Sequence, residues 1–143
     1  MIKKFELDLS SKMTILGVEL FRIKALISFG NVKEGELGGY VEKEDNLSHS
    51  GNAWVYGNAR VSGNAEVSGD ARVSKLNDYI LFKNTWSSGR YFTYTKSNEM
   101  WKVGCFYGTG EELIKKAYED SEVSGKHYEA YVNFVKTLEA LDN

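Results

Sequence analysis

The sequence predicts a mainly β protein with an α+β tail, and three observations lead to that fold class. Six six-residue blocks follow one another from Gly39 to Ser74, and runs that alternate apolar and polar residues flank them. After Thr109, apolar residues recur at helical spacing. These boundaries predict three units: an N-terminal β cap at 1–38, a repeat segment at 39–75 and a C-terminal α+β domain at 76–143.

The charge balance and composition exclude several classes of protein. With 18 Lys and Arg against 20 Asp and Glu, the net charge is −2, which disfavours generic nucleic-acid binding through many phosphate contacts. No apolar run approaches the roughly 18 residues of a membrane span, and the N-terminus lacks the apolar core of a signal peptide. One Cys and two His cannot build an ordinary structural zinc site, so no metal is expected. These features predict a cytosolic protein that does not contact membranes.

The N-terminal unit contains two strand-like runs, at Phe5–Leu9 and Val18–Ile27. A turn separates the two runs, and residues 31–38 are typical of a loop. Because a short repeat segment buries too little apolar surface to offset the entropy of ordering its backbone, both of its ends need covering. The N-terminal strands are expected to cover one end.

The repeat segment reads GYVEKE, DNLSHS, GNAWVY, GNARVS, GNAEVS and GDARVS, and its last four blocks share the template Gly-(Asn/Asp)-Ala-x-Val-x. Ala and Val two residues apart point the same way along a short strand, and Gly-Asn provides the turn to the next block. The Ala and Val side chains are therefore expected to point inward, while Trp54 and Tyr56 point outward. An exposed aromatic pair of this kind predicts an interface between subunits.

The C-terminal unit is predicted to contain three strands followed by two helices. The strands are expected at 78–84, 90–96 and 100–106, joined by short hairpin connections. A capping box formed by Thr109 and Glu112 begins the first helix, which runs to about Asp120. The second helix is expected from about Ser124 to about Leu141.

The sequence contains no catalytic constellation. His49 lies close to Asp45 but is expected to be a corner residue of the irregular first blocks. Cys105 has no nearby His, and His127 has neither an adjacent acid nor a metal partner. Cys105 is expected to be a buried small apolar residue. The sequence therefore predicts no catalytic residue, no cofactor and no enzymatic activity.

A ligand-binding strand is the most suggestive feature of the C-terminal unit. Arg90 and Lys96 alternate with aromatic residues, and such a pattern can bind phosphate while an aromatic ring stacks on a base. The alternative is that the aromatic side chains pack under the two helices and the charges are solvated. The candidate ligand-binding residues are Trp86, Arg90, Tyr94, Lys96 and Trp101.

The repeat resembles the hexapeptide repeat of left-handed parallel β-helices, in which three blocks make one eighteen-residue coil. That resemblance implies a short left-handed parallel β-helix of about two coils, with Val55 beneath Val73 and Val41 beneath Ala59. It also implies a parallel homotrimer. The repeat, the preceding FRIKALISFGNVKEGELGG and the following WSSGRYFTYTKSNEMWKVGCFYGTGEEL together resemble the hexapeptide-repeat proteins of bacteriophages and prophages.

The phage resemblance implies expression in the cytoplasm of a bacterial host. Three functions are compatible with it. The first is a non-enzymatic binding protein that antagonises antiviral defence by sequestering a small anionic ligand, such as a nucleotide second messenger. The second is a direct protein inhibitor of a host defence nuclease or effector, and the third is a hexapeptide-type acyltransferase. Fold resemblance alone does not choose among them.

Overall fold

The computed structural model describes residues 2–142 and has a mixed α/β fold with ten strands and two α-helices in that range. The elements are β1 (Phe5–Ile15), β2 (Val18–Ala25), β3 (Leu37–Val41), β4 (Trp54–Val55), β5 (Arg60–Val61), β6 (Arg72–Val73), β7 (Tyr79–Lys83), β8 (Tyr91–Thr95), β9 (Met100–Val103), β10 (Phe106–Thr109), α1 (Gly110–Asp120) and α2 (Glu122–Leu141). The strands form three small sheets with the orders β1-β2-β3-β5, β10-β9-β8-β7 and β4-β6. Short 3-10 helices occupy Glu44–Asn46 and Leu76–Asp78.

The prediction of a left-handed parallel β-helix is wrong. The sheets are mostly antiparallel. The parallel strand pairings in the repeat segment, β3 with β5 and β4 with β6, involve two residues per strand, and Leu47 and Val67 add one isolated parallel bridge. The glycines that begin the last four blocks have φ angles between 59° and 72° and turn the chain every six residues. Three of these blocks keep two residues in strand pairing and GNAEVS keeps only the bridge of Val67, so the described repeat segment forms no continuous sheet.

The predicted inward positions of the repeat are confirmed, whereas its register is only partly confirmed. The Ala and Val residues of the last four blocks are all buried, with Ala59 the most exposed at 6%. Val55 pairs with Val73 as expected, but Val41 pairs with Val61 and not with Ala59. The 3-10 helix at Glu44–Asn46 lies between these strands and interrupts the six-residue spacing.

The prediction that Trp54 is exposed is wrong, because its side chain is fully buried. The N-terminal unit covers it: Phe29 and Phe5 pack their rings edge-on against the indole, with centroid distances of 5.2 and 6.4 Å. A Cβ atom at Gly38 would lie 2.7 Å from the indole ring, so a glycine is needed there for this close approach. Trp54 is thus part of the monomer core, while Tyr56 is half-buried.

The two helices and most of the C-terminal strands match the predictions. Thr109 caps α1 and Glu112 returns the capping bond, whereas α2 begins two residues earlier than expected, with Ser121 as its cap. The predicted strand at 100–106 is instead a hairpin of β9 and β10, because the chain turns at Gly104, whose φ is +56°. Neither helix is long and apolar enough to cross a membrane.

The C-terminal sheet and its β8–β9 turn cover one edge of the repeat segment with side-chain hydroxyl groups. Thr93 Oγ1 accepts the backbone N–H of Glu66 at 3.0 Å, and Ser97 Oγ accepts that of Arg72 at 2.7 Å. Tyr107 donates its hydroxyl to the carbonyl of Ser68 at 3.2 Å. These bonds satisfy backbone groups that have no strand beside them.

Lys4 contacts the repeat segment from the N-terminal unit. Its side chain is buried, and Nζ donates to the carbonyl oxygen of Ala53 at 2.7 Å and to that of Gly51 at 3.4 Å. The ammonium also lies 4.6 Å from the centre of the Phe29 ring. Burial lowers the pKa of Lys4 from 10.5 to about 8, although the negative charge of Asp70 acts in the opposite direction.

Replacement of Lys4 by methionine is expected to weaken the rise of stability at alkaline pH. The pKa of Lys4 is lower in the folded chain than in the unfolded chain, so folding favours the neutral amine and stability rises as pH increases from about 8 to 10.5. Between pH 7 and 9.5 the wild type should gain about 2 kcal/mol relative to Lys4→Met. Denaturant unfolding of both chains at each pH measures this difference, and tyrosine titration largely cancels in it. Parallel pH profiles would contradict the expectation.

Candidate ligand-binding site

The five sequence-predicted ligand residues do not form one site. Tyr94 and Trp101 lie in the core between the C-terminal sheet and the helices, where they are 3% and 2% exposed. Their ring centres are 4.9 Å apart, and Tyr94 donates its hydroxyl to Glu139 Oε1 at 2.8 Å. Burial and this carboxylate raise the pKa of Tyr94 above its ordinary value. Neither ring has a free face for a base, so the alternative of packing under the helices applies to both.

Trp86 lies at the edge of the same core and is half-buried. Its indole stacks on the imidazole of His127 with a centroid distance of 4.4 Å, and Nε1 donates to Ser124 Oγ at 3.0 Å. The indole is therefore fixed against α2 by two contacts. One face of the ring is therefore already occupied by a stacking partner.

Arg90 and Lys96 flank β8 at opposite ends. Six residues of extended strand span roughly 20 Å, too far for both cations to bind one phosphate. Lys96 Nζ forms an ion pair with Asp142 Oδ2 at 3.1 Å, close to the end of α2. The guanidinium of Arg90 has no hydrogen-bond or ion-pair partner among residues 2–142, although the backbone N–H of Arg90 donates to Ser88 Oγ. Of the predicted cations, Arg90 is thus the one that is free to bind an anion.

Arg90 borders a cleft of about 290 Å³ between the C-terminal sheet and the two helices. Leu113, Tyr128 and Phe106 supply apolar walls, and Lys116 on α1 adds a second cation. Asp120 is the acidic residue at this cleft. The remaining lining residues are Asn84, Ser87, Ser88, Val103, Cys105, Ala117 and Ser124.

The β9–β10 turn positions the Arg90 guanidinium. A Cβ atom at Gly104 would collide with Arg90 Nη1, so the guanidinium lies directly against the glycine backbone. The φ of +56° at Gly104 is also one that other residues rarely adopt. Gly104 is therefore required both for the turn and for the position of the guanidinium.

The polar end of the cleft is organised around Asn84, which is 3% exposed. Its Oδ1 accepts the backbone N–H groups of Trp86 and Ser87, and its Nδ2 donates to the hydroxyl of Tyr128 at 3.4 Å. Burial raises the pKa of Tyr128, while the bond from Asn84 and the positive charge of Arg90 act in the opposite direction. The field of Arg90 thus reaches into the cleft.

The other chemically notable residues have structural contacts. His49 Nδ1 accepts the backbone N–H of Lys4 at 3.0 Å, and Nε2 lies 2.7 Å from Glu44 Oε1, so this ring fixes the residue that precedes β1. His127 Nδ1 lies 2.8 Å from the carbonyl of Val123. The expectation that Cys105 is buried is wrong, because it is exposed in the β9–β10 turn. Within residues 2–142, no group of three or more His, Cys, Asp or Glu residues could hold a metal ion.

The structure removes one of the two residues on which the predicted subunit interface rested. Trp54 is buried within one chain and cannot contact a second one, whereas the half-buried Tyr56 still can. The homotrimer is not tested by this structure and keeps Tyr56 as its remaining support, whereas the unpaired outer edge of β7 favours a dimer.

Sequence reasoning missed the cleft because Lys116 and Tyr128 come from the helices and meet Arg90 only through tertiary packing. The seven residues of Asn84–Arg90 carried the one available signal, a polar turn that ends at an arginine.

A scan against models of known protein families finds no match for this chain, and a search of curated proteins finds no significant relative.

Proposed function

We propose that this protein is a non-enzymatic binding protein that sequesters a small anionic ligand in the Arg90 cleft, as part of a phage strategy against bacterial defence. The observation that carries the proposal is that the Arg90 guanidinium, which has no partner among residues 2–142, lines a partly apolar cleft. Ligand sites of this kind combine apolar walls with a few convergent polar groups that fix orientation.

The charges of the cleft favour an anion. Arg90 presents a planar fork of donors that suits phosphate or carboxylate, and Lys116 adds a second positive charge. Asp120 opposes them, which leaves a net charge of one positive unit among the lining residues. A singly charged acid, or a phosphate diester or monoester, is therefore the preferred ligand chemistry.

The size of the cleft narrows the ligand class further. A volume of about 290 Å³ is just below the range of small-molecule sites, about 300–1,000 Å³. A mononucleotide or a single aromatic acid suits this space better than a cyclic dinucleotide does. The rings of Tyr128 and Phe106 provide apolar surface for the uncharged part of such a ligand.

Replacement of Arg90 by alanine is expected to abolish ligand binding and to leave the melting temperature of the free protein almost unchanged. An exposed cation contributes little to stability, whereas a ligand present at about 100 times its Kd adds about 2.7 kcal/mol to the free energy of unfolding. Thermal-shift measurements with adenosine monophosphate, cyclic di- and trinucleotides, ADP-ribose derivatives and acetyl-CoA provide the readout.

Arg72→Ala is the matched control, because Arg72 is exposed and lies outside the cleft. The control should keep the full ligand-induced shift, and the bound compound should be recovered chemically unchanged. A ligand-induced shift of the melting temperature that persists in Arg90→Ala would mean that the ligand binds at another site. Turnover of any compound would contradict a sequestering function, and turnover of acetyl-CoA would support the acyltransferase alternative.

A further inference from the structure

The outer edge of β7 is an unpaired strand edge beside a surface of aromatic side chains. β7 is the last strand in the order β10-β9-β8-β7, and its pairing with β8 has no bulge. Exposed strand edges of this kind are usually blunted by bulges, prolines or several charges. β7, with the sequence YILFK, has none of these devices and a single charge at Lys83.

The hydrogen-bond alternation shows which backbone groups of β7 point outward. Lys96 N–H donates to the carbonyl of Asp78, and Asn84 N–H donates to that of Arg90, so even-numbered positions of this strand bond to β8. In an antiparallel pair, the intervening residues direct their N–H and C=O groups away from the partner. The outward residues are therefore Tyr79, Leu81 and Lys83, and their backbone groups have no backbone partner among residues 2–142.

An aromatic surface on the helix side adjoins this edge. Phe82 of β7 packs on Tyr131 at a centroid distance of 4.9 Å and on Phe134 at 6.4 Å. Phe134 is 50% exposed, and Phe82 and Tyr131 are half-buried. We call Phe82, Tyr131 and Phe134 the aromatic face. A clustered apolar surface beside an open strand edge is typical of an interaction site.

β1 provides the contrast within the same molecule. It is also an edge strand, but its pairing with β2 shifts register between Asp8 and Lys12. In that bulge, Asp8 Oδ1 accepts both the backbone N–H and the hydroxyl of Ser10. β1 is therefore blunted against strand pairing, whereas β7 is open to it.

We infer that β7 pairs antiparallel with β7 of a second copy of this chain, around a two-fold axis at Leu81. In this register, Leu81 lies opposite Leu81 of the second copy and Tyr79 lies opposite Lys83. All six outward backbone groups of each strand then find a partner. The arrangement is self-complementary, as an isologous interface requires.

The side chains of β7 also favour a second copy of this chain as the partner. On the helix side, the register places Ile80 of one copy opposite Phe82 of the other, which extends the aromatic face across the axis. On the other side, the two Lys83 residues lie four strand positions apart, roughly 13 Å, and do not oppose each other. A register centred on Lys83 would place the like charges together and would leave Tyr79 unpaired.

The test uses Phe134→Lys with Val123→Lys as its control. Val123 is 57% exposed and is also on α2, but it lies close to the start of that helix, three turns from Phe134. Sedimentation equilibrium from micromolar to near-millimolar concentration should show two chains per particle for the wild type and the control, and one for Phe134→Lys. A monomeric or trimeric wild type, or an unchanged dimer in Phe134→Lys, would overturn the inference.

Amide hydrogen exchange in the wild type gives a second, residue-specific readout. The amides of Tyr79, Leu81 and Lys83 should exchange at least tenfold more slowly in the dimer than at dilutions where the chain is monomeric. The amides of Ile80 and Phe82 already bond to β8 and act as internal controls. Equal exchange of Leu81 in both states would assign the interface to another surface.

Discussion

Replacement of Val61 by aspartate is expected to prevent folding. Val61 is fully buried and pairs with Val41 in the core of the repeat segment. A carboxylate at this position would have no cationic partner and would lose its hydration, at a cost of several kcal/mol. Since the whole free energy of unfolding of a domain is about 5–15 kcal/mol, one such substitution removes most or all of it.

Asn64→Asp is the matched control for this substitution. It adds the same charge to the same segment, but Asn64 is exposed and its Oδ1 already accepts from Lys43 Nζ at 3.1 Å. Circular dichroism and thermal melting should show an unfolded or aggregated Val61→Asp chain and a control close to the wild type. A cooperative transition at the wild-type temperature for Val61→Asp would mean that Val61 does not occupy the core.

Replacement of Trp101 by alanine is expected to lower the free energy of unfolding by about 3–5 kcal/mol. Trp101 is 2% exposed, and its ring lies within 6.2 Å of those of Phe82, Phe92 and Tyr94. The truncation leaves a cavity among rigid aromatic side chains, which the surrounding structure fills only in part.

Urea unfolding of Trp101→Ala beside Tyr91→Ala measures this effect. Tyr91 is on the neighbouring β8 but is 37% exposed, so its truncation should cost far less. If Trp101→Ala keeps its stability and loses only ligand binding, Trp101 is a ligand-binding residue, as the sequence predicted. If Trp101→Ala loses stability but still binds ligand at the Arg90 cleft, the role of Trp101 is structural.

Local patterns predicted those features that depend on neighbouring residues. The alternation of Ala and Val with polar residues identified the buried side of the repeat, and the Thr109–Glu112 pair identified the start of α1. Both features depend only on residues that lie within a few positions of one another in the sequence. The same locality explains why the α2 boundary was correct to within two residues.

Features that depend on distant packing were not predictable. Trp54 alternates with inward residues, as a surface residue would, but Phe5 and Phe29 cover it from a separate segment of chain. The turn at Gly104 was hidden by apolar residues on both sides, which together read as one continuous strand. Arg90 and Lys96 were predicted to lie within one strand, but they flank β8, and the extended length of six residues places them too far apart for one ligand.

The hydroxyl groups that cover the repeat edge have a consequence for partly unfolded chains. Thr93 and Ser97, on β8 and the turn that follows it, accept the N–H groups of Glu66 and Arg72 from a separate segment of the chain. If the C-terminal sheet detaches, these donors become an open edge next to a segment rich in valine. Such an edge pairs readily with an edge of another molecule, so the refolding yield should depend on protein concentration as well as on thermodynamic stability.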